Sequence, residues 1–277
     1  MTLRIDRALS EGYDRLLTRP GAVLVGAFVA VGLLNLVVSQ SFLQALTAAV
    51  EPLLTESGRT SPFAGAERGR LAFAVGLSLP VATLLSVATA LLLEAVRVVA
   101  IRVFAGEATD RFPRQAARRR LGVATLTAFV AGVVASLLTG LGLIFLVVPG
   151  LYVALSLLFV RQEVAVADKG LVAALRGSWA LAAGDRWELL GLAVVLLVVS
   201  LLGGLPAFVV QFVGLFAVAS LLSVLVGAVT TVFTIAVLTR AYVQLREAEP
   251  DEAGHQVEGD GEEWSDDDED WDDPPGV

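Results

Sequence analysis

The stretch GAVLVGAFVAVGLLNLVVSQSFL, residues 21–43, decides the fold. It holds no Lys, Arg, Asp or Glu, and at about 1.5 Å of rise per residue a helix of that length crosses roughly 30 Å of hydrocarbon. Five further stretches read the same way, at 71–93, 121–139, 141–160, 187–205 and 212–238, with Glu188 near one end as their sole charge. A charge at mid-bilayer costs about 2.5 to 3.5 kcal/mol on insertion scales, so charge-free runs of this length are what a spanning helix needs. Helices of a soluble core would show a polar outer face every 3.6 residues, and these are apolar all round. The expected fold is an all-α integral membrane protein with six transmembrane helices. Only Gly140 separates the third stretch from the fourth. That predicts a tight hairpin, or one long broken helix if Pro149 and Gly150 interrupt it. Pro80 is expected to kink the second span, and 203–206 to form the turn between the last two.

Composition agrees, with 56% apolar residues and a mean hydropathy of +0.76 over 277 residues. Lys169 is the single lysine, so the positive charge is almost wholly guanidinium and stays protonated at any physiological pH. With no cysteine there is no disulfide, thiolate nucleophile or Cys-ligated metal.

The basic residues fall in alternate gaps. Arg4, Arg7, Arg15 and Arg19 precede the first span; Arg97, Arg102, Arg111, Arg114, Arg118, Arg119 and Arg120 follow the second; Arg161, Lys169, Arg176 and Arg186 follow the fourth; Arg240 and Arg246 follow the sixth. On the opposite side there are only Arg59, Arg68 and Arg70, beside three glutamates. The positive-inside rule then places both termini in the cytoplasm of a multi-pass protein of the cell membrane. A cleaved signal peptide is disfavoured, because the first apolar run is too long and no small-x-small site closes it.

Three regions follow: a cytoplasmic interfacial helix at 1–20, a six-span membrane domain at 21–246, and an acidic tail at 247–277. The tail holds fifteen acidic and no basic residues, so the net charge of −8 conceals a basic body and an acidic end. Too poor in apolar side chains to repay chain entropy, the tail is expected to be disordered and cytoplasmic. Few lysines and an acidic tail also resemble the proteins of extreme halophiles.

Short amphipathic helices are expected before alternate spans. Ile5, Leu9, Tyr13 and Leu16 share one helical face, as do Leu171, Val172, Leu175 and Trp179. Asp168 and Asp185 suit helix starts. Arg111, Arg114 and Arg118 suggest a third, less regular copy, and hence three units of one interfacial helix plus two spans.

Little in the sequence points to chemistry. His255, the one histidine, lies in the acidic tail, so no His-based catalyst or metal triad is available. Glu94, Glu163 and Glu188 are expected at span ends beside arginines, with Glu94 and Arg97 pairing on one helix face. No catalytic, cofactor-binding or metal residue is therefore expected. The best candidate site is Arg111, Arg114, Arg118, Arg119 and Arg120, which can hold anionic headgroups at about 1 kcal/mol each. Interrupted helices can also form transporter sites, which draws attention to Pro149 and Gly150.

The segments Val147-Val148-Pro149-Gly150-Leu151-Tyr152-Val153, Asp168-Lys169-Gly170, Ala174-Leu175-Arg176-Gly177-Ser178-Trp179 and Gly184-Asp185-Arg186-Trp187 carry a family likeness. Across about 141–192 the chain resembles a bacterial and archaeal multi-pass membrane family related to the membrane domain of glycerophosphoryl diester phosphodiesterases. In such fusions catalysis belongs to a separate soluble barrel, so the resemblance implies a multi-pass α-helical protein and no phosphodiesterase activity. The expectation is a non-enzymatic, lipid-associated component or scaffold, with a small permease or exporter for an amphipathic solute as the alternative. Its expected partners are membrane lipids and a further membrane or cytoplasmic protein, with no nucleic acid and no cofactor.

Overall fold

A computed structural model describes residues 3–56, 71–106 and 119–257, apart from the side chains of 53, 55, 56 and 249–257. Nine helices form among the described residues: α1 Ile5–Leu16, α2 Arg19–Glu56, α3 Leu79–Ala105, α4 Leu121–Phe145, α5 Val147–Ser156, α6 Val160–Ala167, α7 Leu171–Leu181, α8 Arg186–Phe212 and α9 Phe216–Val257. Among the described residues, six segments are long and apolar enough to span a membrane: α2, α3, α4, α5 with α6, α8 and α9. The protein is an all-α membrane protein. Its outer surface is built for acyl chains, with Leu84, Leu137, Leu201 and Phe208 each at least 60% exposed.

α2 packs between α3 and α9, α3 also lies on α4, and α8 runs against α9. One core cluster joins Phe28, Val103, Phe104 and Val232; another joins Phe159, Leu189, Leu192 and Tyr242. Small residues allow the closest approaches, as expected where helices associate through packing in lipid. A Cβ on Gly203 of α8 would lie 3.1 Å from the Thr230 hydroxyl of α9.

Several boundaries differ from the sequence expectation. The second span is not 71–93. Residues 74–78 are non-helical, and the Phe73 and Val75 amides donate to Gln40 and Ser41 of α2 at 2.9 Å each. Pro80 sits at the start of α3, where its missing N–H is harmless, so it begins the helix instead of kinking it. The helix then continues past Leu93 to Ala105, carrying Glu94, Arg97 and Arg102 inside it.

Gly140 lies within α4, and the turn to the fourth span falls at Leu146, in an extended conformation. Pro149 and Gly150 do not break a helix: they lie in the first turns of α5, where proline displaces no hydrogen bond. Gly142 and Gly150 instead let the hairpin close, since a Cβ on Gly142 would lie 2.8 Å from the Gly150 Cα. The fourth span is interrupted further on, at 157–159. There Ser178 of α7 donates to the Ser156 carbonyl at 2.9 Å and accepts the Phe159 amide at 3.1 Å. α8 runs through Pro206 to Phe212, and the turn to α9 uses Gly214 at φ +87°. α9 extends to Val257, so 247–257 are helical where disorder was expected; 258–277 lie outside the described residues.

The amphipathic helices α1 and α7 form, but their buried faces are the small residues. Ala8 and Gly12 of α1 press on α9, where a Cβ at Gly12 would meet the Val237 backbone at 3.0 Å, while Tyr13 is exposed. In α7, Ala174, Ser178 and Leu181 are buried, Leu171 and Leu175 half-buried, and Trp179 and Val172 exposed. Small side chains set the helix contact distances, while Ile5 and Leu9 of α1 and Leu171 and Leu175 of α7 also pack against the core. Asp168 is the left-handed C-cap of α6, and Gly170 takes the N-cap of α7. Asp185 precedes α8 without a side-chain capping bond, its carboxylate accepting the Leu3 amide at 2.9 Å.

Candidate functional site

Carrying α3 past Leu93 places Glu94 deep in the bundle. It lies eleven residues before Ala105, and Gly132, its neighbour across the cluster, eleven residues after Leu121. Each is thus about 16 Å along its helix from the arginine-rich end, well inside a membrane-spanning helix. The Glu94 side chain is 3% exposed and accepts hydrogen bonds from Arg161 Nε at 2.8 Å and Arg97 at 3.1 Å. The Glu94–Arg97 pair expected from sequence is present, but eleven residues inside the spanning helix Leu79–Ala105 instead of at its end. Arg161 comes from α6, immediately beyond the interruption at 157–159. Gly132 clears its path: a Cβ there would lie 2.5 Å from the Arg161 guanidinium.

Two open-sided pockets meet at Leu93 and Arg97. One, of about 360 Å³, lies between α3, α4 and α6 and is lined by Ala90, Glu94, Arg97, Ser136 and Arg161. The other, of about 370 Å³, lies between α2, α3 and α9 and is lined by Asn35, Ser39, Arg97, Ser220, Ser223 and Thr231. Arg97 and Arg161 remain 38% and 40% exposed. An ionisable group within a membrane-spanning helix is a candidate functional site by default, because lipid penalises it.

Three more ion networks lie toward the arginine-rich end. Arg102, 5% exposed, donates to the Ala165 carbonyl at 2.8 Å and to the Arg119 carbonyl, and pairs with Asp168 at 3.2 Å. Arg119 joins the same Asp168 carboxylate. Glu163, 1% exposed, takes Lys169 at 2.6 Å and Arg246 at 3.7 Å, and Gly177 leaves room for the lysine. Glu11 of α1 bridges Arg7 at 2.7 Å and Arg240 at 2.5 Å. Burial pushes the Glu11 carboxyl up, but its bonds to Arg7 and Arg240 outweigh that and hold it below the usual glutamate value. Nearby, Arg186 stacks 4.4 Å from the Tyr152 ring, which meets Trp179 edge-on at 5.5 Å.

The arginine set expected to bind headgroups is brought together only in part. Arg119 is exposed but tied to Asp168, and Arg120 is the exposed, left-handed residue preceding α4. Arg111, Arg114 and Arg118 lie outside the described residues. The sequence reading missed Arg161 as a partner of Glu94; the arginine one residue beyond an apolar run was the available signal. Among the described residues, no three His, Cys, Asp or Glu gather as a metal site.

Fold and site together define a multi-pass α-helical membrane protein with a charged cluster inside its membrane domain. The chain belongs to the family described as a domain of unknown function (DUF7847), which matches residues 3–245. That match carries no link to glycerophosphoryl diester phosphodiesterases. No curated protein and no solved structure matches the chain.

Proposed function

We propose that this protein is a non-enzymatic, lipid-associated component of the cell membrane that holds an amphipathic molecule within its helix bundle. The observation that carries this reading is the Glu94–Arg97–Arg161 cluster between the spanning helices, in the walls of two pockets. A purely structural bundle gains little from it, since apolar side chains of similar volume in place of a buried ion pair are often neutral or stabilising. A site that receives a polar headgroup from the bilayer needs such charges, with apolar walls beside them for the tail. The alternating arginines favour cytoplasmic termini, with membrane lipids as the first partners and a second protein at the basic face as another.

A permease or exporter for an amphipathic solute is the second reading, favoured by the way the two pockets join at Arg97 on either side of α3. The deciding measurement is purification in mild detergent followed by extraction and mass spectrometry. A near-stoichiometric amphiphile, enriched over bulk lipid and depleted in Arg97→Gln, is the expected result. Protein carrying only bulk lipid in bulk proportions rules the reading out.

A further inference from the structure

We infer that the bound molecule carries an oxyanion headgroup, phosphate or carboxylate, anchored by Arg97 where the two pockets meet. The inference rests on the amphiphile reading above and adds the ligand's charge, which comes from counting groups at that depth. Among the described residues, Arg97 and Arg161 share one carboxylate, Glu94, leaving one positive charge uncompensated there. No neighbouring span balances it: α2 has no charge between Arg19 and Glu51, α4 none after Leu121, and α9 none before Arg240. The other described acids nearby are engaged elsewhere, Glu163 with Lys169 and Arg246, and Asp168 with Arg102 and Arg119. A net cation in a low-dielectric layer favours an anionic occupant.

The chemistry of the walls agrees. Arg97 spends one guanidinium nitrogen on Glu94, and its planar fork offers further donors of the kind that grip phosphate and carboxylate in pairs. Asn35, Ser223 and Thr231 line the same pocket and bring donors not used in any described hydrogen bond. Ser39 and Ser220 donate back to the Leu36 and Phe216 carbonyls of their own helices. Phe28, Leu36 and Val224 supply the apolar wall along which a chain can lie.

The test uses the full chain in nanodiscs of zwitterionic lipid, titrated by native mass spectrometry with oleate, dioleoyl phosphatidic acid, oleyl alcohol, dioleoylglycerol and inorganic phosphate. At least one anionic amphiphile is expected to bind about tenfold or more tightly than the uncharged amphiphile of the same tail, as loss of a charge-assisted contact implies. Arg97→Gln is expected to erase that preference and Arg97→Lys to keep part of it. Glu94→Gln, which adds one net positive charge, is expected to tighten anion binding; unchanged or weaker binding there counts against the inference even if Arg97→Gln does not fold. The better of oleate and phosphatidic acid identifies the headgroup. Equal binding of charged and uncharged amphiphiles overturns the anion while leaving the amphiphile reading intact. No binding of any amphiphile overturns both, and inorganic phosphate binding as tightly as phosphatidic acid overturns the role of the tail.

Discussion

Replacing Glu94 with leucine removes a carboxylate that is 3% exposed and satisfies two guanidinium groups at 2.8 Å and 3.1 Å. Charge-assisted hydrogen bonds contribute about 1.5 to 3 kcal/mol each, and removing one partner of a buried pair costs about 3 to 5 kcal/mol because the other charge stays behind. Here two charges stay behind. Both arginines are nonetheless about two-fifths exposed, so part of the penalty is relieved by reorientation toward water or headgroups, and a loss of about 3 kcal/mol is expected. That is a change of over a hundredfold in the folded-to-unfolded ratio, at about 1.4 kcal/mol per factor of ten. Glu94→Gln retains volume and an acceptor and should lose about half as much. The triple change Glu94→Leu, Arg97→Leu, Arg161→Leu should regain most of the loss, because a buried charge cluster replaced as a whole by apolar side chains leaves nothing unpaired. Denaturant titration in mixed micelles, followed by circular dichroism and compared at a common slope, measures each difference. A Glu94→Leu variant within about 0.5 kcal/mol of the parent, or a triple variant no more stable than the single, would refute the buried cluster.

The remaining expectations concern α1 and orientation. Gly12→Ala places a Cβ 3.0 Å from the Val237 backbone, which cannot yield as a side chain can, so α1 should lift from α9 at a cost of about 1 to 3 kcal/mol. Faster hydrogen exchange over 5–16 reports it, and unchanged exchange contradicts it. Glu11 is held below its ordinary value of 4.5, so its contribution to docking α1 is complete above that pH and is lost as pH falls through the lower, folded value. Exchange over 5–16 should therefore rise only in acid, and Arg240→Gln should weaken that step; a step of the same size in the variant would remove Glu11 as its source. Since the chain has no cysteine, Leu215→Cys should react with an impermeant maleimide on intact cells and Ser10→Cys only after permeabilisation. The reverse pattern would overturn cytoplasmic termini.

The six spans and the two amphipathic helices were legible because apolar runs and helical periodicity are local signals that burial in lipid or against a neighbour does not reverse. Depth was less legible. The run at 71–93 looked like the second span because hydropathy weighs each residue alone; it does not register that Pro80 suits a helix start or that Gln40 and Ser41 can hold 73–75 outside the helix. It also treats Glu94 as a terminus, since an isolated carboxylate would end a span. Arg161, 67 residues further along the chain, changes that cost. The contact faces of α1 and α7 were not legible for a related reason. A hydrophobic stripe picks out the large side chains, whereas contact between helices in lipid also selects the small ones, Ala8, Gly12, Ala174 and Ser178.

Three irregularities of the fold converge on one side chain. The fourth span stops being helical at 157–159, one residue before α6 restarts and two before Arg161. Ser178 satisfies the backbone that this interruption frees, and Gly132 leaves the space that the guanidinium fills. Each departs from the plainest apolar helix pair, and all three act in the direction of presenting Arg161 to Glu94. Stability alone does not account for them, because a leucine in place of Arg161 on an unbroken helix would need none. What they provide is a second cation beside Arg97 at a depth where one carboxylate cannot neutralise both. The proposed site and the predicted tolerance of the triple variant are therefore separable: a fully apolar substitute should keep the bundle folded but would offer no charge to hold the proposed anion.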